Sequence, residues 1–381
     1  MSPAEPPSPG VPVLDRAAAL PPEAFVAAMA AFPALGHRRL VAILRRWSPE
    51  EAWRRMVDGR GDDDTSLADL WRRAAEEVDV DGLWRFHLRA GVGVLAFGRP
   101  GYPDVLADDH EPPGVLFHRG DPAALDGPRV GIVGTRRCTR YGREMARELG
   151  RDLAASGVRV VSGLAAGVDG AAHAGALAAA AAPPIAVVGS GVDVVYPRRN
   201  SELWAGVAGA GLLLSEAPLG AAPEAWRFPV RNRVIAALSE VVVVVESHMR
   251  GGSKYTVEAA AERSRTVMAV PGSVRNPASA YTNALLADGC PPARDATDVL
   301  VALGLSTGAR GAGRPEVDLR PAPGPDAARV LDALGWEPAS LEGVVLRSGL
   351  SPAAVTVALI HLERDGWVAS RHGWWERVAG A

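Results

Sequence analysis

The sequence predicts an α/β protein: a parallel sheet covered on both faces by helices, preceded by a helical segment and followed by a small winged helix. Three observations predict it. Six short apolar runs alternate with helical stretches between Val130 and Val270. Strands that apolar are buried on both faces, as in a parallel sheet between helix layers. Before them, apolar residues recur at three- and four-residue spacing. After them, three short helical stretches end in a terminal hairpin.

Taken in order, residues 1–22 begin MSPAEPPSPG and read as a disordered tail without the charged and apolar regions of a signal peptide. Residues 23–110 read as a helical domain, from Phe25, Met29 and Phe32, then Leu40, Ile43, Leu44 and Trp47, then Trp53 and Met56. Within it, Leu35-Gly36-His37-Arg38-Arg39-Leu40 is either a plain helix–turn or a helix-hairpin-helix (SAM-like) turn of the kind that holds DNA phosphates. Residues 111–303 carry the sheet. The expected strands are Val130–Gly134, Val158–Ser162, Ile185–Gly189, Leu212–Ser215, Val241–Val245 and Thr266–Val270. The expected helices are Tyr141–Ala155, Asp169–Ala181, Asn200–Val207, Asn232–Leu238 and Thr256–Arg263. Residues 304–325 are rich in glycine and proline and read as a linker. Residues 326–381 give the winged helix: Ala327–Leu334, Ser340–Arg347 and Pro352–Arg364, then strands about a turn at His372-Gly373. Its third helix is poor in basic residues, so DNA reading and protein docking are both open.

The 381-residue chain has a net charge of −3, which excludes a wholly basic nucleic-acid binder but not a local basic groove. Lys254 is the only lysine among 41 basic residues. The two cysteines, Cys138 and Cys290, are far apart in sequence and fit a reducing compartment rather than a disulfide scaffold or zinc site. No apolar run is long enough to span a bilayer, so a cytoplasmic protein with no membrane association is expected.

In a parallel sheet, ligands sit beyond the carboxyl ends of the strands. The first strand runs into Gly134-Thr135-Arg136, the second into Ser162-Gly163-Leu164-Ala165, and the third into Gly189-Ser190-Gly191. The fifth is followed by Gly251-Gly252-Ser253-Lys254-Tyr255-Thr256. Glycine, serine and threonine there let backbone amides and hydroxyls close on anions. Arg227-Phe228-Pro229-Val230-Arg231-Asn232-Arg233 gathers arginines at a helix start, beside an aromatic ring on which a base could stack. By itself that segment is equally a surface arginine cluster with Phe228 in the core. Four such loops on one sheet edge, with the arginine segment, suit several phosphates in a row, as in a nucleotide or a nucleic-acid strand. Asp169 and His173 lie four apart on one helix face; they are either an acid–base or metal pair, or a helix cap beside a packed histidine.

Together these residues resemble the DNA-processing protein A (DprA, or Smf) family. The resemblance runs from about Tyr102 to Leu303. It adds Tyr102-Pro103, Pro112-Pro113-Gly114-Val115-Leu116-Phe117, Arg119-Gly120, Tyr196-Pro197, Ser215-Glu216 and Val270-Pro271-Gly272 to the loops above. It implies an extended Rossmann-like fold, single-stranded DNA binding without sequence preference, a homodimer, and loading of RecA recombinase during natural transformation. No cofactor, metal or catalytic residue is implied. It further implies that Gly134, Thr135 and Arg136 hold phosphates with Ser162, Gly163, Gly189, Ser190 and Gly191 beside them. Phe228 would lie near a base, and Arg231 and Arg233 would line the groove with Asn232. Gly252, Ser253, Lys254 and Thr256 complete the expected site. A related class, the phosphoribohydrolases of the cytokinin-activating type, gives an alternative enzymatic reading of Gly251 to Glu258. Three departures from the family pattern stand out: Lys254-Tyr255 replace small or aliphatic residues, Ser264 stands where glycine is usual, and so does Tyr281. Tyr281 is expected to follow a glycine-type backbone with strain and to narrow the groove.

Overall fold

The computed structural model describes residues 20–305 and 320–378 apart from 337 and 372. Most of the expected tail, most of the expected linker and His372 of the expected turn therefore lie outside the described residues. The chain divides into two compact units, residues 1–306 and 307–381.

In the first unit, five helices come first: α1 (Pro22–Met29), α2 (His37–Arg46), α3 (Pro49–Val57), α4 (Thr65–Glu76) and α5 (Val80–Arg89). Ser48, Asp64 and Asp79 cap the starts of α3, α4 and α5 by accepting backbone amide hydrogens, which is why each helix begins there. Strand β1 (Gly93–Ala96), the short helix α6 (Asp104–Ala107) and strand β2 (Val115–Gly120) follow. Six further strands alternate with helices: β3 (Arg129–Val133), α7 (Arg140–Ala155), β4 (Arg159–Ser162), α8 (Val168–Ala179), β5 (Ile185–Val187), α9 (Ser201–Ala210), β6 (Leu212–Ser215), α10 (Arg227–Leu238), β7 (Val241–Val244), α11 (Ser253–Glu262) and β8 (Thr266–Ala269). Helices α12 (Ala280–Ala287) and α13 (Ala296–Ala302) close the unit.

The eight strands form one sheet in the order β1-β2-β6-β5-β4-β3-β7-β8. From β6 to β8 every pairing is parallel, as the apolar runs require. The sheet as a whole is nevertheless mixed, because β1, β2 and β6 pair antiparallel. β1 falls within the segment expected to be helical. It is a four-residue strand, too short to show a period of its own, and Arg119 on β2 ties the strand's approach by donating to the carbonyl of Ala90.

Each strand divides its side chains between two helix layers, following the two-residue period of an extended chain. Val242 and Val244 share a core with α10 and α11 residues such as Val234 and Ala260. Val241 and Val243 share another with Leu149 and Leu153 of α7 and Ala172 of α8. The amino-terminal helices have no separate core. Met29, Phe32, Leu40, Met56 and Trp71 cluster with Phe117, Val188, Leu213 and Trp204 of the sheet unit.

The order of the parallel strands reverses at one place. From β3 the chain builds outward through β4, β5 and β6, then returns to add β7 and β8 on the other side of β3. The loops after β3 and β7 diverge there and leave a crevice, the position at which doubly wound sheets bind ligands.

The second unit has α14 (Pro325–Leu334), β9 (Ala339–Ser340), α15 (Leu341–Ser348), α16 (Pro352–Arg364), β10 (Val368–Arg371) and β11 (Trp374–Arg377). Its three strands pair antiparallel in the order β10-β11-β9. This is a winged helix around a core that includes Leu331, Val344, Leu359, Leu362 and Val368. The solvent face of α16 exposes Val357 and Ile360. Among the described residues, no single helix is long and apolar enough to cross a membrane.

Candidate nucleic-acid interface

The crevice between the ends of β3 and β7 is a cavity of about 720 Å³. One backbone hydrogen bond fixes its floor: the Thr135 amide donates to the Glu246 carbonyl at 2.7 Å. Gly134 is required at that crossing, since a Cβ there would stand 2.7 Å from both the Glu246 carbonyl oxygen and a Val168 methyl. Beneath it the Glu246 side chain is fully buried and accepts from the Thr139 amide at 2.8 Å and the Thr139 hydroxyl at 2.6 Å. Thr139 in turn caps α7. A buried carboxylate thus joins the two diverging loops into one rigid edge.

Four guanidinium groups line the crevice: Arg136, Arg137, Arg231 and Arg250. Among the described residues, Asp169 is the one carboxyl in the lining. It is 7 % exposed and accepts from the Gly163 amide at 3.2 Å. Burial pushes its pKa up, against the pull of Arg231 and of backbone amides at Ala165 and Gly163. The crevice is therefore a cationic concavity with walls of glycine backbone, suited to anionic oxygens.

Helix α10 supplies one wall. It starts at Arg227, not at the expected Asn232, because Pro229 fits the first helical turn, where a missing N–H costs nothing. Phe228, Arg231, Asn232 and Ile235 all line the crevice, at the spacing of one helix face. Arg231 is 6 % exposed and donates to the Val187 carbonyl. Burial lowers its pKa to about 10, so it remains charged at neutral pH. Gly163 is needed beside it: a Cβ would lie 2.2 Å from an Arg231 Nη.

Arg233 does not line this crevice. Two residues from Arg231, it leaves the helix on the other side, since positions i and i+2 do not share a face. There it donates to the Glu111 carbonyl at 2.9 Å and to the Glu216 carboxylate at 2.5 Å. Its role in this structure is an ion pair that anchors α10.

The other expected residues separate in the same way. Thr135, Arg136, Gly252, Ser253 and Thr256 reach the crevice with Gly134. Gly163, Gly189 and Ser190 line a smaller neighbouring cavity of about 180 Å³ with Arg199. Ser162 lies in the core, donating to the Ile132 carbonyl at 2.6 Å. The Ser190 hydroxyl donates to the Val194 carbonyl at 2.7 Å and the Gly191 amide to the Ala221 carbonyl at 3.0 Å, so these atoms shape the loop. Ser253 donates to the Ser247 hydroxyl at 2.7 Å. Lys254 points along α11 to Glu258, 3.7 Å away, and lines neither cavity. Arg137 and Arg250 were not among the expected site residues although they adjoin the Gly134-Thr135-Arg136 and Gly251-Gly252 loops; Arg199, beyond Tyr196-Pro197, carried no such signal.

The two cavities share Arg136, Ala165, Tyr196 and Phe228. Phe228 is already covered: the Arg136 guanidinium sits 4.8 Å from its ring centroid and the Tyr196 ring 5.6 Å away at 37°. These three side chains form a ridge between the cavities, a stack of cation and rings rather than a bare ring.

Asp169 faces the crevice, whereas His173 lies in the core. The His173 imidazole is fully buried, shares a 3.1 Å hydrogen bond with the Ile185 carbonyl, and is held neutral by burial with its pKa lowered to about 4. Among the described residues no cluster of three or more His, Cys, Asp or Glu side chains could hold a metal. Tyr281 adopts ordinary helical backbone in α12, without the positive φ expected of a glycine position, and lines neither cavity. Ser264 does occupy a left-handed position, with φ 52°.

Comparison with known proteins agrees with this architecture. The family model described as DNA recombination-mediator protein A matches residues 93–304, and the DprA winged helix domain matches residues 314–373. The DNA processing protein DprA of Bacillus subtilis is 38 % identical over 210 residues, covering 55 % of this chain and 70 % of that protein. Protein Smf of Escherichia coli is 35 % identical over 290 residues, covering 74 % of this chain and 76 % of that protein. The X-ray structure of DNA processing protein A from Streptococcus pneumoniae superposes with a TM-score of 0.63 at 29 % identity, covering 74 % of this chain and 96 % of that one.

Proposed function

The chain belongs to the DNA recombination-mediator protein A family, and from that premise we propose that it binds single-stranded DNA without sequence preference and hands the strand to RecA recombinase during natural transformation. It acts as a homodimer, in the cytoplasm, and without catalysing a reaction. The observation that carries this reading is the crevice at the strand-order reversal, where four guanidinium groups face one buried carboxyl. Phosphates pass along Gly134, Thr135, Arg136, Arg231 and the Gly252–Thr256 loop. Bases meet the Arg136–Phe228–Tyr196 ridge. Such a mixture of cations and aromatic ring tolerates any base, because every base has a π-face.

A binding role also fits the two residues with catalytic potential. Asp169 accepts from the Gly163 amide, and His173 is fully buried and bonded to the Ile185 carbonyl, away from the crevice lining.

The test is a titration with an oligo-dT strand across a salt series. Binding should weaken with a log–log slope of roughly −0.7 per phosphate neutralised, so about four contacts give a slope near −3. Absent or salt-insensitive binding overturns the reading.

A further inference from the structure

A second large cavity, of about 650 Å³, lies on the other side of the start of α10. Its floor is the ends of β5 and β6, and its roof is the α1–α2 turn. We propose that this cavity binds one nucleotide through its phosphate and its base, at a site separate from the crevice. The two cavities share the Arg231 side chain, so the site is tested through Arg39 and Trp226, which line this cavity and not the crevice.

The volume lies in the range of small-molecule sites, roughly 300–1,000 Å³. Three guanidinium-bearing residues line it: Arg39, Arg227 and Arg231. The one carboxylate in the lining, Glu216, is held by Arg233 at 2.5 Å. Arg227 is itself paired, 3.7 Å from the Glu224 carboxylate, which also accepts from the Trp226 indole N–H. The ten-residue helix α2 also begins at this cavity, with Gly36 at its cap and no side chain accepting from its first amides. Such a helix start favours an anion.

The remaining walls are apolar, with Leu35, Leu40, Val115 and Val188 among them. Trp226 also lines the cavity, 58 % exposed, and the Arg227 guanidinium lies 4.6 Å from its ring centroid. Cations converging on one region, apolar walls and an accessible indole match a phosphate joined to a base. The nucleotide could be free or the phosphorylated end of a strand; the chemistry recognised is the same.

Thymidine monophosphate is the probe, followed by calorimetry on the full chain. Saturable binding is expected. Arg39→Gln, which keeps a donor for the Ala34 carbonyl, and Trp226→Phe should each weaken it about fivefold or more. Arg136→Ala should leave it unchanged while weakening oligo-dT binding. No saturable binding overturns the proposal, as does binding unaffected by Arg39→Gln and Trp226→Phe. So does binding that Arg136→Ala abolishes, which moves the nucleotide into the crevice and leaves the DNA reading intact. Displacement of the probe by a 5′-phosphorylated but not a 5′-hydroxyl oligonucleotide identifies the strand end as the source. Failure of both to displace it identifies the free nucleotide.

Discussion

The Arg136 guanidinium lies 4.8 Å from the centre of the Phe228 ring, so a cation from the loop after β3 covers an aromatic ring on α10. The two residues are 92 positions apart and act as one contact surface. Arg136→Ala should therefore remove both a phosphate partner and the cover of the ring. Oligo-dT affinity should fall for all sequences, and the salt slope should become shallower by about 0.7. Phe228→Ala should cost about 1–3 kcal/mol of binding with little change in slope. Filter binding across a salt series distinguishes the two effects.

Arg231 and Arg233 should behave oppositely. Arg231→Ala should weaken DNA binding. Arg233→Ala leaves Glu216 without its partner and should lower stability by about 3 kcal/mol. Folded Arg233→Ala protein should keep its oligo-dT affinity. Urea unfolding and the same binding titration, run on both variants, check this pair of outcomes.

The contrast between these two arginines shows how far the sequence can be read. Their alternation in Arg231-Asn232-Arg233 suggests two cations at one groove. Only the helix start at Arg227 shows that they must point to opposite sides. The strands of the parallel sheet were legible because their apolar runs are continuous, from Val130 to Val270. The antiparallel edge was not, because β1 follows closely on a helical segment and β2 runs into the polar residues His118 and Arg119. Among the loops, Gly134 and Thr135 do line the crevice at the end of β3. Serine carried a weaker signal: Ser162 and Ser190 spend their hydroxyls on backbone carbonyls, a use indistinguishable in sequence from ligand binding.

Buried His173 gives a pH dependence. Its folded pKa, about 4, is lower than the ordinary 6.5. The unfolded chain thus binds more protons between these values, and stability should fall as pH drops from about 6.5 to about 4. A shift of that size corresponds to about 3 kcal/mol. Urea midpoints measured across this range should decline for the native chain and less steeply for His173→Gln.

Ser264 ends α11 in a left-handed conformation that disfavours side chains. Ser264→Gly should raise stability by about 0.5–1 kcal/mol, seen as a higher thermal midpoint. Tyr281→Gly should do the reverse. It places glycine in the helix α12 and should cost about 1 kcal/mol while leaving oligo-dT affinity unchanged. Restored or strengthened binding in that variant would show that Tyr281 obstructs the groove.

The bond from the Thr135 amide to the Glu246 carbonyl joins segments 111 residues apart, and the helix that walls the crevice comes from between them. The crevice lining runs from Val133 to Thr256, so no fragment that lacks either β3 or β7 contains it. Ligand affinity should therefore appear late in refolding, after the last long-range strand pairing, and any proteolytic cut that releases β7 should abolish it at once. Binding is in this sense a certificate that the whole sheet has assembled.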